Sequence, residues 1–374
     1  MKRIINFVLG IGLIIGIVSF GVTNKNKPVE KPNNKNFSKV KIETLIADST
    51  LNIRALEIVK SEFTFPVYLT SKGELGILMP NSTFNHVDSL KNKSFYIHKV
   101  DLSNDTLKLN FRALAIQKNS GYGITIGSPA MLFRLDADLE KNKLVYQENH
   151  PNTFYDSMDF WNEQEGIAIG DPTDDCMSII ITRDGGSTWT KLSCDVLPKV
   201  KAGEAAFAAS DTNIAIVGNH TWVATGGKAS RVLYSPDKGK TWVIYNTPIV
   251  QGKETTGMYS IDFYDELHGF AIGGDYTKPN NNTANKIRTQ DGGKTWALVA
   301  GNQSPGYRSC VQYIPNRKGK ELVAIGFKGI DYSNDSGSTW KHISDEGFYT
   351  IRFLNDSVAY AAGAGRISKL TFKE

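Results

Sequence analysis

The chain has 374 residues, of which 40% are hydrophobic, and 43 Lys and Arg face 38 Asp and Glu. A balance this even gives bulk charge no role in nucleic-acid binding, so an electrostatic partner must be met locally. Three cysteines, Cys176, Cys194 and Cys310, are too few for a disulfide scaffold.

Lys2 and Arg3 precede an apolar run from Ile4 to Phe20, and Ser19-Phe20-Gly21 supplies small residues at both positions a signal peptidase inspects. Residues 1–21 therefore read as a signal peptide, or as an N-terminal anchor if uncleaved, since roughly 17–25 apolar residues span a bilayer. The chain is expected to be exported, periplasmic or secreted, with membrane contact only through that segment. No Cys follows the run, which argues against a lipoprotein. Residues 22–38 are rich in Asn, Lys and Pro and read as a disordered tether. Residues 39–374 form the folded unit, expected to be a monomer.

Seven segments share one first-strand cadence. They are Asn52–Val59, Asn110–Gln117, Phe154–Trp161, Ala202–Ala209, Gly257–Tyr264, Gly306–Tyr313 and Gly347–Leu354. Apolar runs ending in glycine follow as second strands, among them Gly123–Gly127, Ile167–Gly170, Ile214–Gly218, Phe270–Gly273, Val323–Gly326 and Val358–Gly363. Between them an eight-residue phrase recurs four times, Thr182–Trp189, Ser235–Trp242, Thr289–Trp296 and Ser333–Trp340. Its aspartates are 53, 54 and 44 residues apart, the length of one four-stranded propeller blade. Each phrase reads as a hairpin turn. Asp184, Asp237, Asp291 and Asp335 accept turn amides, Gly186, Gly239, Gly293 and Gly337 supply φ > 0, and Trp189, Trp242, Trp296 and Trp340 bury a ring.

The phrase resembles the Asp-box, or BNR repeat, of sialidases, other glycosidases, sortilin-like receptors and photosystem II assembly factors of the Ycf48 type. The likeness is closest to exported relatives of the Ycf48 type in non-photosynthetic bacteria, often labelled "oxidoreductase". It is carried by Tyr155–Trp161, Gly203–Ser210, Gly273–Tyr276, Gly306–Ser309 and Gly365–Ile367. The expected fold is all-β, a seven-bladed β-propeller of the WD40/YVTN/BNR-like, sialidase-like kind. Val40–Ile46 would supply the outer strand of the last blade and close the ring against Ile367–Phe372. The first blade, with its insert Asn81–Phe95, departs from the pattern.

An Asp-box sits opposite the face where first strands begin, so third positions of the aligned first strands should ring one mouth of the axial channel. They are Arg54, Arg112, Asp156, Glu204, Tyr259, Arg308 and Tyr349, whereas the fifth positions are Leu56, Leu114, Met158, Ala206, Ile261, Cys310 and Ile351. Arginine's planar fork matches a carboxylate, so the ring reads as a carboxylate-recognising funnel. The bland reading is a polar channel wall whose Arg–Asp and Arg–Glu pairs neutralise one another. Loop residues Asp171, His220, Asp275, Tyr276 and Arg366 are placed at the same mouth. The stretches Trp222–Lys228 and Tyr276–Thr283 are read as insertions overhanging it.

The resemblance implies a propeller that binds a protein partner through an arginine-bearing face, with a protein or a small anionic or carbohydrate ligand as the partner class. The alternative is a sialidase-like glycoside hydrolase using Tyr259, Tyr349, Glu204 and Asp156, although the sialidase signature Phe/Tyr-Arg-Ile-Pro is missing: Phe111-Arg-Ala-Leu114 lacks its proline. No metal is expected, because His220 has no second His or Cys at compatible spacing. No cofactor is expected either, for want of a dinucleotide fingerprint, haem motif or Cys-x-x-Cys. Cys176 and Cys194 flank one Asp-box hairpin and are either bridged across the ladder or two free thiols. Cys310 is expected to be buried and unpaired.

Overall fold

The computed structural model describes residues 36–60, 64–80, 95–103, 108–117, 120–136 and 142–374. The signal segment, most of the tether and nearly all of the Asn81–Phe95 insert lie outside the described residues. Within the tether stretch Phe37 is buried, packed on Tyr332 and Phe372 with the Arg317 guanidinium over its ring.

The described residues form a β-propeller with no helix among them. Short apolar segments such as Gly166–Gly170 and Ser178–Thr182 are buried on both faces, which suits strands stacked between neighbouring sheets. Ile167, Ile169, Ile179 and Ile181 thus pack on Val223 and Leu233 of the next sheet. Burying each such side chain contributes about 1.5–3 kcal/mol.

Hydrogen bonding groups the strands into six sheets, where the first-strand cadence predicts seven blades. The seven-blade count is thus not met: with the two long strands Lys39–Lys60 and Val358–Lys373, the first and last segments of the cadence fall in one six-stranded sheet. The ring closure is as expected: Val40 pairs with Phe372, Ile42 with Leu370 and Ile46 with Ile367.

A second correction concerns the fourth sheet. Its innermost strand is Ile214–Val217, followed by His220–Ala224, Arg231–Ser235 and Val243–Asn246. Ala202–Ala209 is therefore not a first strand. Only Glu204–Ala205 is extended, and it pairs with Gly226–Gly227 at the margin of the next sheet. Trp222 lies in the second strand, fully buried, so it does not begin an insertion overhanging the mouth. The cadence misled here because Ala202–Ala209 has the alternation of a strand while its backbone bonds go elsewhere.

The displaced segment crosses the axis. Ala209 O accepts from Arg54 Nη1 (2.9 Å), Ser210 Oγ donates to Ser309 O (2.6 Å) and Ser210 O accepts from the Thr350 hydroxyl (2.8 Å). The Asp211 carboxylate takes the Leu114 and Met158 amides (2.8 and 3.2 Å), and Thr212 O takes the Ile261 amide (2.9 Å). Residues 209–213 are buried and reach the innermost strands around the ring, so they plug the channel.

All four repeated phrases are the turns expected. Asp237 accepts from the Lys240 and Thr241 amides and from the Ser235 and Thr241 hydroxyls, and the other three aspartates do much the same. Cys176 and Cys194 are bridged, their Cα atoms 5.4 Å apart, and Cys310 is buried and free.

Candidate binding site at one mouth of the axis

Four of the seven ring residues share a backbone device. The strand register skips at Arg54, Arg112, Asp156 and Tyr259, each the extra residue of a β-bulge in an innermost strand. Bulges re-aim a side chain relative to its ladder, and these turn four side chains toward the plugged end of the axis.

Arg54 lies 4.1 Å above the Tyr349 ring and spends one N–H on Ala209 O, while its Nε is buried without a partner. Arg112 makes no hydrogen bond or ion pair among the described residues, and its Nε is likewise buried. Burial, with Arg54 adding repulsion, lowers the Arg112 pKa to about 10, so the guanidinium stays charged at neutral pH. Asp156 is completely buried and neither oxygen completes a hydrogen bond, although the Ala208 amide lies alongside. Burial, then the neighbouring Asp171, holds its carboxyl well above the usual range, against the pull of Arg112. Asp171 itself is pushed up to about 6 by burial and accepts the Ala206 amide at 2.7 Å.

Beside the arginines stands an aromatic wall. Tyr259 stacks on Phe207 (centroids 4.0 Å apart) and meets Tyr307 edge-on at 4.8 Å, with the exposed Tyr276 and Phe327 flanking them. A Cβ on Gly226 would stand 2.1 Å from the Phe207 ring, so glycine is required for that stack.

Other expected members are elsewhere or already engaged. Glu204 is buried in an ion pair with Arg231 and also takes the Thr225 hydroxyl and the Lys201 amide. It does not belong to the ring, because its segment is not a first strand. Arg308 is buried against Asp331 at 2.6 Å and donates to Tyr307 O, so it does not join Arg54 and Arg112. His220 follows the first-to-second-strand turn of its sheet, next to Asn219, whose carbonyl takes the Lys238 amide of the repeated phrase. It is thus on the opposite face, bonded to the Tyr234 hydroxyl at 2.6 Å. Asp275 closes a local turn with Thr277, and Arg366 lies over Phe348 while pairing with Glu346. The Tyr259 hydroxyl donates to Thr255 O at 2.9 Å.

At the far mouth, which sequence reasoning missed, a cavity of about 480 Å3 opens beyond the plug. Its lining includes Glu57, Asp159, Asp262 and Arg352, all sixth positions of the aligned segments that placed the arginines. Reading that column would have found them. Arg352 donates to Glu57 at 2.6 Å, and burial pushes the half-buried Asp262 up to about 7, whereas Asp159 is exposed to cavity water.

No protein-family profile matches the chain, and no curated protein does. Solved structures do match in fold. A YCF48 bound to D1 peptide is 13% identical over 94% of this chain and 100% of that one, with a TM-score of 0.60. YCF48 from Cyanidioschyzon merolae is 11% identical over 90% and 99%, at 0.62. The WD40 repeats of RRP9 are 8% identical over 92% and 100%, at 0.60. At such identities the likeness is one of fold, and the chain is similar both to YCF48 and to WD40 propellers.

Proposed function

We propose that this chain is an exported binding or assembly module of the Asp-box kind, which grips a carboxylate on a protein partner at the Arg54–Arg112 mouth. The observation that carries this is Arg112: a half-buried guanidinium, charged, beside a second arginine, making no ion pair among the described residues. An arriving carboxylate would relieve that repulsion and meet a planar donor fork. The fold neighbour solved with a peptide bound supports a protein ligand over a small one. We also read the six-stranded sheet as two blades sharing continuous strands, since its register breaks between Ala47 and Asn52.

The test is an array of acidic peptides, each with an amide-capped counterpart, read by fluorescence polarisation and repeated in high salt. Binding should weaken with salt, and Arg112→Ala should cost about 2–5 kcal/mol. Peptides that bind Arg54→Ala/Arg112→Ala as tightly as wild type would sink the proposal. Turnover of sialosides by the wild type would instead favour the hydrolase.

A further inference from the structure

The same mouth contains a group that a simple anion site does not need. Asp156 is 0% exposed, and neither oxygen completes a hydrogen bond among the described residues, although the Ala208 amide lies alongside. Three elements pack on it: the strand carrying Arg112, the loop carrying Asp171, and the plug through the Ala208 amide. Arg54 and Tyr349 lie beyond Arg112. An ionised Asp156 would neutralise Arg112 from behind and weaken its grip on any anion in front. A protonated Asp156 leaves the arginine's charge free.

We propose that anion binding at the Arg54–Arg112 mouth is coupled to uptake of a proton by Asp156. This rests on the anion-binding reading above and adds its regulation. Asp156 touches no ligand and acts through Arg112, so it is a positioning residue. The coupling is reciprocal: a bound anion offsets Arg112 and favours the neutral acid, and the neutral acid favours the bound anion. Burial and the charged Asp171 already hold Asp156 toward its neutral form, so the switch belongs above the ordinary carboxylate range. Asp171, pushed up to about 6, stays ionised above pH 7.

The experiment is calorimetric titration of the full chain with sulfate and with acetate, neither of which titrates between pH 7 and 8.5, in buffers of differing ionisation enthalpy; the window stops there because Arg112, lowered to about 10, starts to lose its own charge above it. Affinity should fall with rising pH, by up to tenfold per unit, with as much as one proton taken up per anion. Asp156→Asn should bind without pH dependence, at the affinity of the wild type's low-pH limb. If that variant does not fold, Asp171→Asn serves, shifting the wild-type curve to lower pH. Wild-type binding that ignores pH, or an Asp156→Asn protein that keeps the slope, overturns the coupling while leaving the anion site standing. Absence of binding by sulfate, acetate and the acidic peptides at every pH overturns the site and the coupling together.

Discussion

Arg112 and Arg308 occupy the same column of the sequence, yet one is unpaired and the other is locked to Asp331. The difference is local backbone. Arg112 is the extra residue of a bulge, whereas Arg308 precedes its strand, Cys310–Tyr313, and turns back to the third strand of its own sheet. Glu204 makes the same point from the acidic side. Its pairing with Arg231 is buried at both ends, so Glu204→Ala strands a buried guanidinium and should cost about 3–5 kcal/mol in urea unfolding. A loss under 1 kcal/mol would mean that Arg231 finds another partner. Residue types alone thus identified a polar column, and Arg54, Arg112, Asp156 and Tyr259 were legible in it. Which members face one mouth was not, because a bulge shifts register by one residue and leaves no mark in composition.

The repeated phrases were the most legible elements, since their turn chemistry is confined to eight residues. Their packing role was less visible. In each, the glycine at the fifth position has φ near +80° and faces the preceding sheet: Gly186 meets Tyr122, Gly239 meets Ile181, Gly293 meets Trp222 and Gly337 meets Phe270. Tyr122 and Trp222 also donate to carbonyls of the phrase above them, at 2.6 and 2.8 Å. The turn is therefore a joint between sheets as well as a hairpin. Gly337→Ala would place a Cβ 2.1 Å from the Phe270 ring at φ +80° and should cost about 2–4 kcal/mol through strain and overpacking. Gly301→Ala, which meets nothing within 4 Å, is the control. Equal melting temperatures for the two variants would refute the joint.

The two ends of the folded unit are held together by a ladder from Lys39 to Asn52 against Ala364 to Lys373. Deleting Lys39–Ala47 exposes that edge and should abolish a single sharp thermal transition, since the whole domain is held by only about 5–15 kcal/mol. A cooperative melt within a few degrees of wild type would show the closure to be dispensable. Contacts of this sequence separation also predict slow folding. Closure was legible because an apolar segment was left over at the N-terminus and one strand was lacking at the other end. The plug was not, since a stretch such as Ala205–Ala209 looks like strand until its neighbours are known.

Because residues 209–213 cross the axis, the described residues leave no through-passage. The plug separates the Arg54–Arg112 mouth from the cavity lined by Glu57, Asp159 and Asp262. Whatever enters by one door must leave by it, and a guest in either room leaves the other vacant. Asp211 forms part of the shared partition, receiving amides from Leu114 and Met158 while Arg352 holds its carbonyl.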